Sequence, residues 1–126
     1  MPHLVLRGGP DLACIGSQLA AVEPAVVRWG RAVLKRREVW SRVGEAALLV
    51  EGVVVELSRP QHPVALVAGS GDTVTVRLWP TVAVERTPAV QRWLAWLAAD
   101  LQGIGLGSVC STNLADDLLE GLLLQR

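Results

Sequence analysis

Apolar residues recur along this chain with two different periods, and the change from one to the other divides it into segments. Leu12, Ile15, Leu19 and Val22 return every three or four residues, which places them on one face of a helix that starts after Asp11, a natural N-cap, and stops near Glu23. Gly16 weakens that helix by about 1 kcal/mol. A second helix is predicted from Glu23-Pro24, because proline is tolerated in a first turn, where its missing N–H has no intrahelical partner. Val26, Trp29, Val33 and Trp40 then form its apolar stripe, with Arg28, Arg31, Lys35 and Arg42 on the opposite side. A helix ending near Arg36, followed by an extended 38–43, fits the same pattern nearly as well.

Between residues 46 and 85 the period becomes two and valine dominates, which favours strands because branching at Cβ suits an extended backbone. Val64, Leu66 and Ala68 lead into Gly69-Ser70-Gly71-Asp72, after which Val74, Val76 and Leu78 alternate with Thr73, Thr75 and Arg77: a hairpin. Residues 46–57 form one strand with a bulge at Gly52, or two strands turning at Glu51-Gly52. Trp79-Pro80 interrupts the ladder, and 81–85 is predicted as an edge strand. Residues 2–7 suggest a short first strand, closed by Gly8, Gly9 and Pro10.

Thr87-Pro88 predicts a helix start with a hydroxyl cap, and Val90, Trp93, Leu94, Leu97 and Leu101 supply its buried stripe before Gly103 ends it. Residues 109–111 read as extended. Thr112 or Asn113 is expected to cap a last helix through Leu124, with Asp116 and Asp117 in its first turn. The fold class that follows is α+β: one domain over 1–126, with a mainly antiparallel sheet of about four strands in residues 46–85, packed by N-terminal and C-terminal helices.

Charge changes this picture at one place. Half of the 12 Lys and Arg residues fall between Arg28 and Arg42, in a chain whose formal net charge is zero. Such a cluster is the solvated side of an element or the docking place of an anionic partner. Composition adds that 51% of the residues are hydrophobic and that all aromatic residues are tryptophan, Trp29, Trp40, Trp79, Trp93 and Trp96. Apolar surface in excess of one core implies a covered interface.

The chemistry-bearing residues are sparse. His62 sits in Arg59-Pro60-Gln61-His62-Pro63, with no neighbouring carboxylate to orient it. Cys14 and Cys110 are far apart and show no metal spacing, and Gly69-Ser70-Gly71 joins two strands instead of opening a helix as a phosphate loop does. Neither a cofactor nor a metal is expected. The N-terminal apolar run is too short for a signal-peptide core, and charged residues interrupt every stretch that could span a membrane.

The function these features imply is that of a soluble, cytoplasmic, non-enzymatic interaction or accessory protein, homo-oligomeric or part of a complex. Its candidate partner-binding residues are Arg28, Arg31, Lys35 and Trp96. A protein partner or a second copy is the expected occupant, with no membrane. The alternatives are nucleic-acid binding through a basic helix over 28–42, and a small-ligand sensor or enzyme with its pocket between sheet and helices.

Overall fold

Eight strands join into one antiparallel sheet in the computed structural model, which describes residues 1–9, 11–41 and 46–125. They are β1 (His3–Arg7), β2 (Val26–Trp29), β3 (Ala32–Ser41), β4 (Ala47–Glu56), β5 (Arg59–Gln61), β6 (Val64–Ser70), β7 (Thr73–Leu78) and β8 (Val109–Thr112). The order across the sheet is β2-β3-β4-β6-β7-β1-β8, and β5 pairs with the end of β4 beyond the reach of β6. The sheet curls into a half-barrel. With it come α1 (Leu12–Ala21), α2 (Pro88–Ile104) and a 3-10 turn at Asp116–Leu119.

This corrects the expected fold class. The sheet is not confined to four strands in 46–85, because β1, β2, β3 and β8 lie outside that range. The second predicted helix is instead the β2–β3 hairpin, closed by Trp29 opposite Ala32 across a two-residue loop of Gly30 and Arg31. Gly30 adopts a positive φ of 59°, a conformation that costs glycine little and suits the first position of such a loop. Val26, Trp29 and Val33 match helical spacing only because this loop breaks the strand period. Arg42 and Val43 fall outside the described residues.

The last predicted helix is reduced to the 3-10 turn, after which Gly121 has a φ of 86° and Val109 bridges to Leu124 in parallel. Residues 81–85 belong to no strand. Gly52 lies inside the continuous β4, and the bulge is in the facing strand, where Arg37 and Glu38 are accommodated between Arg36 opposite Gly52 and Val39 opposite Val50.

α2 and the hairpin of β6 and β7 form where expected. Thr87 Oγ1 accepts the Val90 N–H at 3.2 Å, Pro88 occupies the first turn, and Val90, Trp93, Leu94, Leu97 and Leu101 are all buried. The helix runs on to Ile104 and is capped by Gly105. Removing the cap by Thr87→Ala is expected to cost about 1 kcal/mol, read as a lower urea midpoint with unchanged slope.

α2 touches β1, β3, β4 and β7, so the concave side of the sheet closes around it. Leu4 and Leu6 of β1, Leu48, Val50 and Val54 of β4, Val67 of β6, and Val74 and Val76 of β7 supply that lining. Trp93 is the largest side chain in it and is fully buried. Its Nε1 donates to the Lys35 carbonyl at 2.9 Å, and its ring lies against Gly52 so closely that a Cβ there would sit 2.4 Å from Cζ2. α1 packs against β3, β4 and α2, with Gly16 buried against Leu48 and Ser41.

Candidate interaction surface

Pairing register assigns each strand residue to one side of the sheet. On the concave side, Leu34 pairs with Val54 and Arg36 with Gly52; on the convex side, Val33 pairs with Val55, Lys35 with Val53, Trp40 with Leu49, and Leu49 with Leu66. The convex side is not uniform. Across β7 and β1 it carries Thr73, Thr75 and Arg77 beside His3, Val5 and Arg7, the polar exterior expected of a sheet with one solvated face. Across β3, β4 and β6 it carries Val33, Leu49, Val53, Val55, Val64 and Leu66, extended at the margins by Val26 and Trp40.

β4 shows the cause in its own sequence. Its residues 47–50 and 53–55 are apolar without alternation, the pattern of a strand covered on both sides, yet on the convex side this chain leaves Leu49, Val53 and Val55 partly exposed. Trp40, at 56% relative exposure, and Val26, at 49%, stand out from the surface. Leu66 is only 6% exposed, so it forms floor and not relief.

The basic cluster lies within and beside this patch. Arg28 and Lys35 share the convex side of the hairpin, Arg31 occupies its loop, and Arg37 lies in the bulge, and all four are exposed. Three of the expected partner-binding residues, Arg28, Arg31 and Lys35, are therefore brought together, on a hairpin instead of a helix. Trp96 is not with them. It is half-buried on α2, on the concave side of the sheet.

Arg36 also leaves the cluster. Strand alternation turns it inward, where its side chain is 3% exposed, bonds Asp100 at 2.6 Å and donates to the Val22 carbonyl. Its guanidinium lies 5.5 Å from the centroid of the Trp96 ring, a cation–π distance. Burial raises the Asp100 pKa above the usual carboxylate value, and the Arg36 charge and hydrogen bond offset this in part. This network joins β3, the exit of α1 and α2. Sequence reasoning missed it, because an arginine in a basic run carries no mark of being the inward one until the strand period is known.

The other candidate chemistries remain dispersed. The space around Arg36, Trp93, Trp96 and Leu97, between sheet and α2, holds no room for water, since the indole of Trp93 fills it. The larger hollows are open depressions. One of about 540 Å³ is lined by Glu56, Arg59, Gln61 and Glu85, and its far wall is held by Gln61 Oε1, which accepts the Glu85 N–H at 2.7 Å. Another of about 320 Å³ collects Arg37, Glu51, His62 and Val82 where β4 passes from β6 to β5, continuous with the convex patch.

His62 is exposed there. Cys14 and Cys110 are free thiols, and among the described residues no group of His, Cys, Asp or Glu is arranged to hold a metal ion. No helix among the described residues is long and apolar enough to cross a membrane. No protein-family model matches the chain, and no curated protein or solved structure is significantly similar to it.

Proposed function

We propose that this chain is a non-enzymatic interaction domain, a component of a protein complex, which docks its partner on the convex face of β3, β4 and β6. The observation that carries this reading is β4, whose apolar residues point to both sides of the sheet while the chain itself fully covers only the concave one and leaves Leu49, Val53 and Val55 partly exposed on the other. Uncovered, Leu49, Val53 and Val55 leave apolar area in water at a cost of about 25 cal/mol per Å². Trp40 at the margin has the amphipathic ring that suits an interface anchor. A cytoplasmic setting belongs to the same reading and is supported by the free thiols of Cys14 and Cys110.

A nucleic-acid partner is the second reading, favoured by the clustering of Arg28, Lys35 and Arg37 along one hairpin. Phosphate recognition needs cations and polar donors at the centre of the contact. Here Arg28 and Lys35 are set opposite Val33 and Val53, so the cations are interspersed with aliphatic side chains that a phosphate does not cover.

Affinity capture with the folded chain as bait, compared with Trp40→Glu/Val53→Lys and with Thr75→Glu on the polar part of the convex side, tests the proposal. A protein retained by the wild type and by Thr75→Glu, but reduced at least tenfold by the double variant, is the expected result. Retention of the same proteins by all three baits, or of none by any, contradicts it.

A further inference from the structure

We infer that the occupant of the convex face is a different protein with an acidic, apolar surface, and not a second copy of this chain. This rests on the proposed function and names the partner's chemistry. On the apolar part of the face and at its borders stand Arg28, Lys35, Arg37 and Arg77, with Arg31 at the hairpin loop; the carboxylates at the corresponding positions are Glu38 and Glu51. A two-fold dimer sets a patch against itself, which would bring this cationic border against its own duplicate. Like charges placed together across an interface oppose association and select against that pairing. A partner that offers Leu- or Val-type side chains to Leu49, Val53, Val55 and Val64, and Asp or Glu to the border, satisfies both features at once.

The surface relief separates this partner from other anionic ones. An anionic membrane takes up a continuous set of protruding apolar side chains, whereas here only Trp40 and Val26 at the margins protrude, Leu66 lies flush and the central valines are partly covered by their neighbours. A nucleic-acid duplex offers phosphates but keeps the faces of its bases stacked on one another, so it leaves the aliphatic side chains of this face uncovered.

The test uses a pair of synthetic helical peptides, each with one leucine stripe, flanked by glutamate in one and by lysine in the other. Binding is followed by methyl NMR of the intact chain, with a DNA duplex, anionic phospholipid vesicles and sedimentation of the chain alone as further arms. The glutamate peptide is expected to shift Leu49, Val53, Val55 and Val64, to bind at least tenfold more tightly than the lysine peptide at low salt, and to weaken as salt is raised. Lys35→Glu/Arg37→Glu, two exposed side chains, should reverse the preference while the urea midpoint stays unchanged.

Equal binding of the two peptides, binding of neither, or shifts confined to other parts of the chain overturn the inference. So does tighter binding of the duplex or the vesicles through the same methyl groups. A dimer at low salt whose Val53 and Val55 methyls are shielded also overturns it, yet leaves the interaction role of this face standing, so the two failures are distinguishable.

Discussion

Gly52→Ala is expected to destabilise the domain by about 3 kcal/mol, the upper end of what overpacking costs. A Cβ at this position would meet Cζ2, Cε2 and Nε1 of Trp93 at 2.4 to 2.5 Å, and the ring has nowhere to retreat because it is fully buried in the grip of the sheet. Moving it would also stretch the bond from Nε1 to the Lys35 carbonyl, which is what ties α2 to β3 at that level. Urea unfolding measures the loss. Trp93→Ala should cost about 4 kcal/mol through the cavity it leaves and the carbonyl it deprives of a donor. The two effects share one contact and so cannot add: in the double variant the added methyl enters vacated space, and a coupling of at least about 1 kcal/mol is expected from the cycle. Additive losses would mean that the indole does not rest on Gly52.

Breaking the Arg36–Asp100 pair has an effect of similar size and a different signature. Arg36→Met leaves a half-buried carboxylate and the Val22 carbonyl without their donor, and removes the cation over Trp96, for an expected loss of about 3 kcal/mol. Arg36→Met/Asp100→Leu should recover most of it, because an apolar pair of similar volume avoids the desolvation of two charges. The dependence on pH distinguishes the variants. Asp100 has a folded pKa above its unfolded value of 3.8, so the folded state retains a proton that the unfolded state has released, and the contribution of this group declines as pH rises from about 3.8 through its folded pKa. Without Arg36 to oppose burial the folded value rises further. Arg36→Met should therefore lose stability more steeply than the wild type on going upward from pH 4, and the double variant should show no such slope.

Both predictions concern residues whose roles the sequence disclosed unequally. Thr87-Pro88 and the spacing from Val90 to Leu101 announce α2, since a capped helix packed on one side leaves a regular stripe; Gly69 to Asp72 announces its hairpin just as directly. The stretch from Val26 to Arg36 misleads. Its inward residues are Val27, Trp29, Ala32, Leu34 and Arg36, a period of two broken once by a two-residue loop, and the charge on Arg36 hides the last member. A turn at Gly30 was the available signal.

Thr112 or Asn113 as a cap, with Asp116 and Asp117 behind it, suggests a helix through Leu124, but Gly121 turns the chain and Gln102 fixes Leu123 by hydrogen bonds to both its backbone groups. Of the candidate surface, the basic residues Arg28, Arg31 and Lys35 were legible as a cluster, while the side of the sheet they occupy was not. Trp96 was separated from them by tertiary pairing that no local pattern encodes. The two apolar runs of β4, 47–50 and 53–55 on either side of Glu51-Gly52, were visible in the sequence, and they gain meaning only when the convex side is seen to leave Leu49, Val53 and Val55 partly exposed.

Protection of the convex methyl groups from a soluble paramagnetic probe, measured on the chain alone and on the chain bound to its captured partner, tests the central claim most directly. Strong quenching is expected at Val53 and Val55 in the free chain, with loss of that quenching in the complex and no change at the Thr75 methyl on the polar side. Val53 and Val55 shielded in the free monomer, or still quenched with the partner bound, would contradict it.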